Sequence, residues 1–137
     1  MFINPDKRLH QDNLKSEIYY RFNNKFVETD FKIILEYTSG RCRFDALVYD
    51  NPTNKVVAII EVRSVNARRP PHFGTKKHLK YIQFGCNIFY ISRFSAIDEL
   101  LESCGSLFNE WKTTGEIKFT TTVSDPKPRK VKRQIIY

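Results

Sequence analysis

Two apolar segments separated by a turn constrain the fold of this chain more than any other feature of its sequence. Residues 41–50 and 55–63 are rich in aliphatic and aromatic side chains, and the sequence Asp50-Asn-Pro-Thr-Asn54 between them is typical of a turn. Together they predict a β-hairpin that is symmetric about Thr53. This register places Asp45 directly opposite Glu61.

Both faces of the predicted hairpin are apolar. One face is expected to carry Phe44, Ala46 and Val48 with Ala58, Ile60 and Val62, and the other to carry Leu47 and Tyr49 with Val57 and Ile59. A hairpin that is apolar on both faces belongs in the middle of a sheet that is covered on both sides.

The segments around the hairpin predict helices and further strands. Leu14, Ile18, Phe22 and Phe26 recur at four-residue spacing, so residues 12–25 are expected to form a helix with one buried stripe. Residues 29–38 are interpreted as a strand that ends at a Ser39-Gly40 turn.

After the hairpin, residues 66–74 are expected to form a loop, because Arg68-Arg-Pro-Pro71 cannot continue regular structure. A helix over 75–84 is expected to turn Leu79 and Ile82 inward. A strand over 86–92, a helix over 95–104 extended by 107–111, and a peripheral strand over 116–123 follow. The predicted fold is α/β, with a mixed central sheet flanked by helices in a single domain (1–125). A basic tail (126–137) with a short strand at 134–137 follows it.

The charge of the chain favours a polyanionic partner. Its 23 Lys and Arg residues outnumber 15 Asp and Glu residues, which gives a net charge of +8. Basic residues cluster at 63–80 and again at 125–137, while a basic surface that serves solubility alone is the plainer alternative. With no signal peptide, no apolar segment that could span a bilayer and three widely spaced cysteines, we expect a cytoplasmic protein without disulfides.

Two opposed acids at the hairpin suggest a cation site. Asp45 and Glu61 would repel one another across paired strands unless a positive charge lies between them. Mg²⁺ or Mn²⁺ would suit them, with the carbonyl of Val62 as a third ligand. Two other interpretations stay open: a bulge could turn the acids to opposite faces, or Arg43 and Arg63 could neutralise them.

The pattern resembles the PD-(D/E)XK nuclease superfamily, in which an acid on one strand is followed by acid-x-Lys at the end of the next. Asp45 and then Glu61-Val-Arg63 match this signature, with Glu17 as the acid of the leading helix. The resemblance covers residues 14–92 and implies a restriction-endonuclease-like αβββαβ core. Small Holliday-junction resolvases are similar in length and layout, and homing-type nucleases share the same skeleton.

The resemblance implies an Mg²⁺- or Mn²⁺-dependent endodeoxyribonuclease, acting on branched DNA or at specific sites, with no small-molecule cofactor. Asp45 and Glu61 would hold the ion, with Glu17 assisting directly or through a water, while Gln83 would orient water or phosphate. A nucleoid, viral or mobile-element setting would suit such an enzyme. The residues expected to grip the nucleic acid are Arg43, Arg68, Arg69, Lys76, Lys77, Lys127, Arg129, Lys130, Lys132 and Arg133.

The chain departs from the family signature at Arg63, where the family has lysine. A guanidinium can brace a phosphate but is a poor proton acceptor. Three interpretations follow: the metal activates water without a lysine, Lys80 substitutes, or the domain only binds nucleic acid. A phage-type protein-interaction module and an RNA substrate also stay open. Small relatives usually pair, so we expect a homodimer that uses Trp111, Phe119 and the tail.

Overall fold

The computed structural model describes residues 5–63, 76–117 and 120–124, with side chains for residues 9–63 and 79–117. The elements, in chain order, are α1 (Pro5–Lys25), β1 (Phe31–Ser39), β2 (Cys42–Asp50), β3 (Lys55–Val62), α2 (Lys76–Phe84), β4 (Asn87–Ile91), a 3-10 turn (Phe94–Ala96), α3 (Ile97–Thr114) and β5 (Thr120–Ser124). The predicted loop at 66–74, the tail from 126 and its strand at 134–137 lie outside the described residues.

The five strands form one mixed sheet in the order β1-β2-β3-β4-β5. The first three strands are antiparallel neighbours, whereas β4 runs parallel to β3, and β5 runs parallel to β4. The predicted α/β class, with a mixed sheet flanked by helices, is confirmed. Among the described residues no helix is long and apolar enough to cross a membrane.

Helices cover both faces of the sheet. On one face, α1 contributes the predicted stripe of Leu14, Ile18 and Phe22, and α3 packs beside it through residues such as Leu100 and Phe108. On the other face, α2 packs through Tyr81 against a smaller cluster that contains Phe44, Ile59, Ile88 and Tyr90. We call these the α1/α3 face and the α2 face.

Both flanking helices of the α1/α3 face are longer than the sequence predicts. Helix α1 begins at Pro5, not at residue 12 or 13. Helix α3 continues through Gly105 to Thr114, three residues beyond the predicted extension over 107–111. A Cβ atom at Gly105 would lie 3.8 Å from the Phe26 ring, an ordinary contact distance. The helix ends at Gly115, whose φ of 74° is the left-handed conformation that glycine adopts most readily.

The hairpin has the predicted register over its central pairs. Ala46 pairs with Ile60 and Val48 with Ala58, but an irregularity after Val48 moves the partner of Tyr49 from Val57 to Val56. Val57 therefore packs on the α1/α3 face, and its predicted placement beside Ile59 is wrong.

At a second irregularity, the side chains of both β1 and β2 change from one face of the sheet to the other. Leu35 and Ala46 contact the α1/α3 core, yet Tyr37 and Phe44, two residues away on each strand, belong to the α2 face. Regular strands return to the same face every two residues. The reversal coincides with Glu36, whose φ is 52°, so the prediction that Phe44 shares a face with Ala46 is wrong.

The helix α2 packs with a different side inward from the one predicted. Leu79 and Ile82 are 59% and 48% exposed, whereas Tyr81 is buried and Phe84 half-buried. Because Tyr81 faces inward, its hydroxyl contacts Glu61 of the hairpin.

Candidate functional site at the carboxyl edge of the sheet

The topology brings the predicted acids to one edge of the sheet. Strands β3, β4 and β5 run parallel and end together at an edge that we call the carboxyl edge, and antiparallel β2 begins there. Glu61 is near the end of β3 and Asp45 is near the start of β2, so both lie close to this edge. In open α/β sheets, ligands bind beyond the carboxyl ends of the strands.

The two acids, which we call the acid pair, join β2 to β3 through the backbone. The N–H of Asp45 donates to Glu61 Oε1 over 2.9 Å, and the N–H of Val62 donates to Asp45 Oδ2 over 2.8 Å. Each carboxylate therefore reaches the main chain of the other strand. The pairing of β2 with β3 keeps the predicted register as far as Ala46 and Ile60, and β2 turns over at the next residue, Asp45.

Glu61 is the buried member of the acid pair. Its side chain is 3% exposed, and the hydroxyl of Tyr81, from α2, donates to Oε2. Burial, followed by the negative charge of Glu61, raises the pKa of Tyr81 above its ordinary range. The phenol therefore stays protonated and remains a donor to the carboxylate.

Asp45 is the accessible member and turns toward α1. Its side chain is 23% exposed, and Lys15 Nζ lies 3.9 Å from Oδ1. The same ammonium lies 3.3 Å from Glu36 and 3.7 Å from Asp12. The acid pair is thus engaged from both faces of the sheet, with Lys15 on the α1/α3 face and Tyr81 on the α2 face.

Arg63 extends β3 beyond the acid pair. Its N–H donates to the carbonyl of Ile91 over 2.8 Å, and its guanidinium lies 5.9 Å from the ring centre of Tyr90. Burial raises the pKa of Tyr90 above its ordinary range, against the opposing effect of the Arg63 charge. The arginine is therefore placed on the side of Glu61 and α2, where it flanks the acid pair.

Other predicted site residues have contacts elsewhere. Glu17 accepts a hydrogen bond of 2.7 Å from Arg21, which also contacts Asp98 at 3.2 Å, and the α1 residue that reaches Asp45 is Lys15 instead. Gln83 is exposed on α2 and Lys80 is half-buried. The group of Val62 that contacts the acid pair is its N–H.

The predicted nucleic-acid contacts are described only in part. Arg43 is 61% exposed and lies 3.5 Å from Glu36, close to the acid pair. The backbones of Lys76 and Lys77 are in the first turn of α2, but their side chains lie outside the described residues. The remaining predicted contacts, all in 64–75 or in the tail, also lie outside them: Arg68, Arg69, Lys127, Arg129, Lys130, Lys132 and Arg133.

Of the residues predicted for dimer contacts, Trp111 alone has a described side chain. Trp111 is half-buried and packs against the α1/α3 core, so part of its surface is used inside the domain. Phe119 and the tail lie outside the described residues.

The described residues contain no cluster of three or more His, Cys, Asp or Glu side chains able to ligate a metal, so an ion at the acid pair would have two carboxylates at most. Mg²⁺ commonly takes one or two carboxylates and completes its shell with water and phosphate oxygens. Asp45 Oδ1, which accepts no hydrogen bond within the described part of the chain, is the most available oxygen. Asp45 and Glu61 are the residues that would hold the ion.

Sequence reasoning missed Lys15 and Tyr81. Lys15 directly follows Leu14, which belongs to the buried stripe of α1. Partial burial of Lys15 could therefore have been expected from its position on the helix. Tyr81 precedes Phe84 by three residues, the spacing of one helix face, and this spacing competed with that of Leu79 and Ile82. Comparison of the chain with protein-family models, with curated proteins and with solved structures gives no match.

Proposed function

We propose that the carboxyl edge is the active site of a metal-dependent DNA endonuclease on a restriction-endonuclease-like fold. The observation that carries the proposal is the position of the acid pair at the carboxyl edge, where the side chain of Asp45 is 23% exposed and its Oδ1 accepts no hydrogen bond within the described residues. The order of elements, helix, three antiparallel strands, helix and parallel strand, supports the same proposal.

The surroundings of the acid pair suit a phosphodiester substrate. Arg63 and Arg43 flank the acids on the strands. The two clusters of basic residues, 63–80 and 125–137, begin where the chain leaves β3 and β5 at this edge. Cationic side chains around a small acidic centre bind the phosphate backbone without reading its sequence. The proposed partner of the edge is therefore a nucleic acid, and the resemblance to the nuclease superfamily favours DNA.

The roles of the residues follow from their placement. A divalent ion at the acid pair would supply a bound water of lowered pKa and offset charge on the phosphate. Asp45 and Glu61 would hold the ion, Tyr81 would fix the orientation of Glu61, and Arg63 would hold a phosphate oxygen bidentately. Arg63 remains charged, so it does not accept a proton in this mechanism.

The proposal includes a homodimer, because one site cuts one strand and cleavage of a duplex requires two. Size-exclusion chromatography with light scattering, run with and without DNA, tests this part. A monomer in both conditions would remove the dimer and leave a nicking activity.

A nucleic-acid-binding domain without catalysis is the second candidate. It is favoured by one observation: both oxygens of Glu61 and one of Asp45 already accept hydrogen bonds from the protein. Lys15 also lies against the remaining oxygen of Asp45. Under this alternative, the carboxylates join β2 to β3 and serve no other purpose.

A cleavage assay separates the two candidates. Supercoiled plasmid, single-stranded DNA, a four-way junction and a matched RNA are incubated with the full chain in Mg²⁺, in Mn²⁺ and in EDTA. We expect metal-dependent cleavage of DNA that falls at least about a hundredfold in Asp45→Asn, since a metal ligand contributes several kcal/mol to the transition state.

Asp30→Asn is the matched control, because Asp30 precedes β1 at the opposite edge of the sheet and its side chain is 55% exposed. It should cleave like the unchanged chain. Equal cleavage by Asp45→Asn and Asp30→Asn would refute the assignment of the site. DNA binding with no cleavage in either metal would establish the binding domain instead.

A further inference from the structure

Lys15 is an unusually covered lysine beside the candidate site. Its side chain is 11% exposed, and its ammonium lies within 4 Å of the carboxylates of Asp12, Glu36 and Asp45. Lysine is seldom buried without a specific partner, because its charge is strongly hydrated. Its three carboxylate partners account for this burial, and they hold the ammonium beside Asp45 at the carboxyl edge.

The ammonium of Lys15 retains hydrogen-bonding capacity. An ammonium has three N–H donors, and within the described residues Lys15 makes one hydrogen bond, to Glu36 Oε1 over 3.3 Å. Its distances to Asp12 and Asp45, 3.7 and 3.9 Å, are those of ion pairs without a hydrogen bond. Two donors remain for a further acceptor.

The contact with Glu36 gives Lys15 a fixed position. Glu36 is the residue at which β1 and β2 turn over, and its φ of 52° holds it in the left-handed region in the middle of a strand. The opposite strand carries Asp45 at the corresponding place. Glu36 and Asp45 are the residues at which the two strands change face, and Lys15 of α1 lies against both. Of the acid pair it contacts Asp45, the accessible member.

We propose that Lys15 contacts the phosphodiester of a bound nucleic acid next to Asp45. This inference rests on the proposed function, because the charge of Asp45 is the one that a divalent ion would take up. Lys15 then keeps its hydrogen bond to Glu36 and directs its other donors to a phosphate oxygen.

DNA binding, measured without cleavage, tests the contact. Fluorescence anisotropy of a labelled duplex is recorded in Ca²⁺ and in EDTA over a range of salt concentrations, for the unchanged chain and for Lys15→Met. The control is Lys25→Met, an exposed lysine at the other end of α1. Lys15→Arg keeps the charge at the same position.

In Ca²⁺ we expect Lys15→Met to bind about tenfold more weakly than the unchanged chain and to lose about 0.9 from its salt slope, the value of one phosphate contact. Lys25→Met should change neither quantity, and Lys15→Arg should stay within about threefold. In EDTA the effect of Lys15→Met should shrink, because Lys15 then remains paired with Asp45. Equal binding by Lys15→Met and Lys25→Met in Ca²⁺ would overturn the inference.

If Lys15→Met fails to fold, Lys15→Gln is the second variant. It keeps a polar side chain but removes the charge, so binding in Ca²⁺ should weaken as for Lys15→Met, and binding equal to that of the unchanged chain would overturn the inference. If Lys15→Met weakens DNA binding but the unchanged chain cuts nothing in Mg²⁺, the nuclease proposal is refuted and the Lys15 contact stands. If the unchanged chain cuts DNA but Lys15→Met binds DNA as tightly as it does, the nuclease proposal stands and the Lys15 contact is refuted.

Discussion

At the scale of single residues, the hydroxyl of Tyr81 holds the buried half of the acid pair. Glu61 is taken almost wholly out of water, and a carboxylate in that position needs donors. The backbone of Asp45 supplies one and Tyr81 supplies another. The aromatic side chain that enters from α2 is therefore part of the site as well as of the core.

Removing this hydroxyl should destabilise the fold. We expect Tyr81→Phe to lower the free energy of unfolding by about 1–3 kcal/mol, because it leaves a buried carboxylate with one donor fewer. Urea denaturation followed by circular dichroism measures the change. The control is Tyr20→Phe, since Tyr20 is an exposed tyrosine of α1 and should change the midpoint little.

Equal urea midpoints for Tyr81→Phe and Tyr20→Phe would contradict this account of Glu61. They would mean that the carboxylate finds other donors in solution, and the orientation of Glu61 would no longer depend on α2.

At the scale of elements, Lys112 of α3 ties the hairpin to the helix at the edge opposite the acids. Its ammonium lies 2.9 Å from Asp30 and 3.0 Å from Asp50, which is fully buried at the end of β2. Burial alone would raise the pKa of Asp50. The hydrogen bond from Thr53 and the charge of Lys112 outweigh it and hold the pKa below its ordinary value of 3.8.

We expect Lys112→Met to lower the free energy of unfolding by about 1–3 kcal/mol at neutral pH, because it leaves a buried carboxylate without its cation. Asp30→Asn removes the exposed partner of the same lysine and should cost under about 0.5 kcal/mol. A depressed folded-state pKa stabilises the fold above pH 3.8, and this contribution is lost as the pH falls below it.

The difference between Lys112→Met and the unchanged chain should therefore be largest at neutral pH and shrink below about pH 4. Urea denaturation at a series of pH values measures it. A loss of stability in Lys112→Met that is independent of pH would show that packing of the lysine stem, and not the charge of Asp50, holds α3 to the hairpin.

The elements were largely predictable, but the faces of the strands were not. The turn and the apolar runs gave the central register of the hairpin, including the closeness of Asp45 and Glu61. The change of face at Glu36 could not be predicted from the sequence pattern. Both faces of β2 are apolar, so the strand loses little burial when its side chains exchange faces. The inward side of α2 was missed for a related reason, since its nine residues offer two apolar spacings.

At the scale of the whole molecule, the order of helices and strands followed from local patterns, whereas the surroundings of the acid pair did not. The mixed sheet and its peripheral last strand were predicted from periodicity and turns. The approach of Lys15 to Asp45 joins residues 30 positions apart and depends on the rotation of α1 about its axis. The resemblance singled out Glu17 on the same helix, and Glu17 is paired with Arg21.

The central claim is that the acid pair holds a divalent ion at the carboxyl edge. A crystal of the chain with an uncleaved duplex, grown or soaked in Mn²⁺, tests it through anomalous scattering. The account predicts a peak about 2.1 Å from both a carboxylate oxygen of Asp45 and one of Glu61, with a phosphate on its open side. A saturating Mn²⁺ concentration that leaves this position without a peak would contradict it.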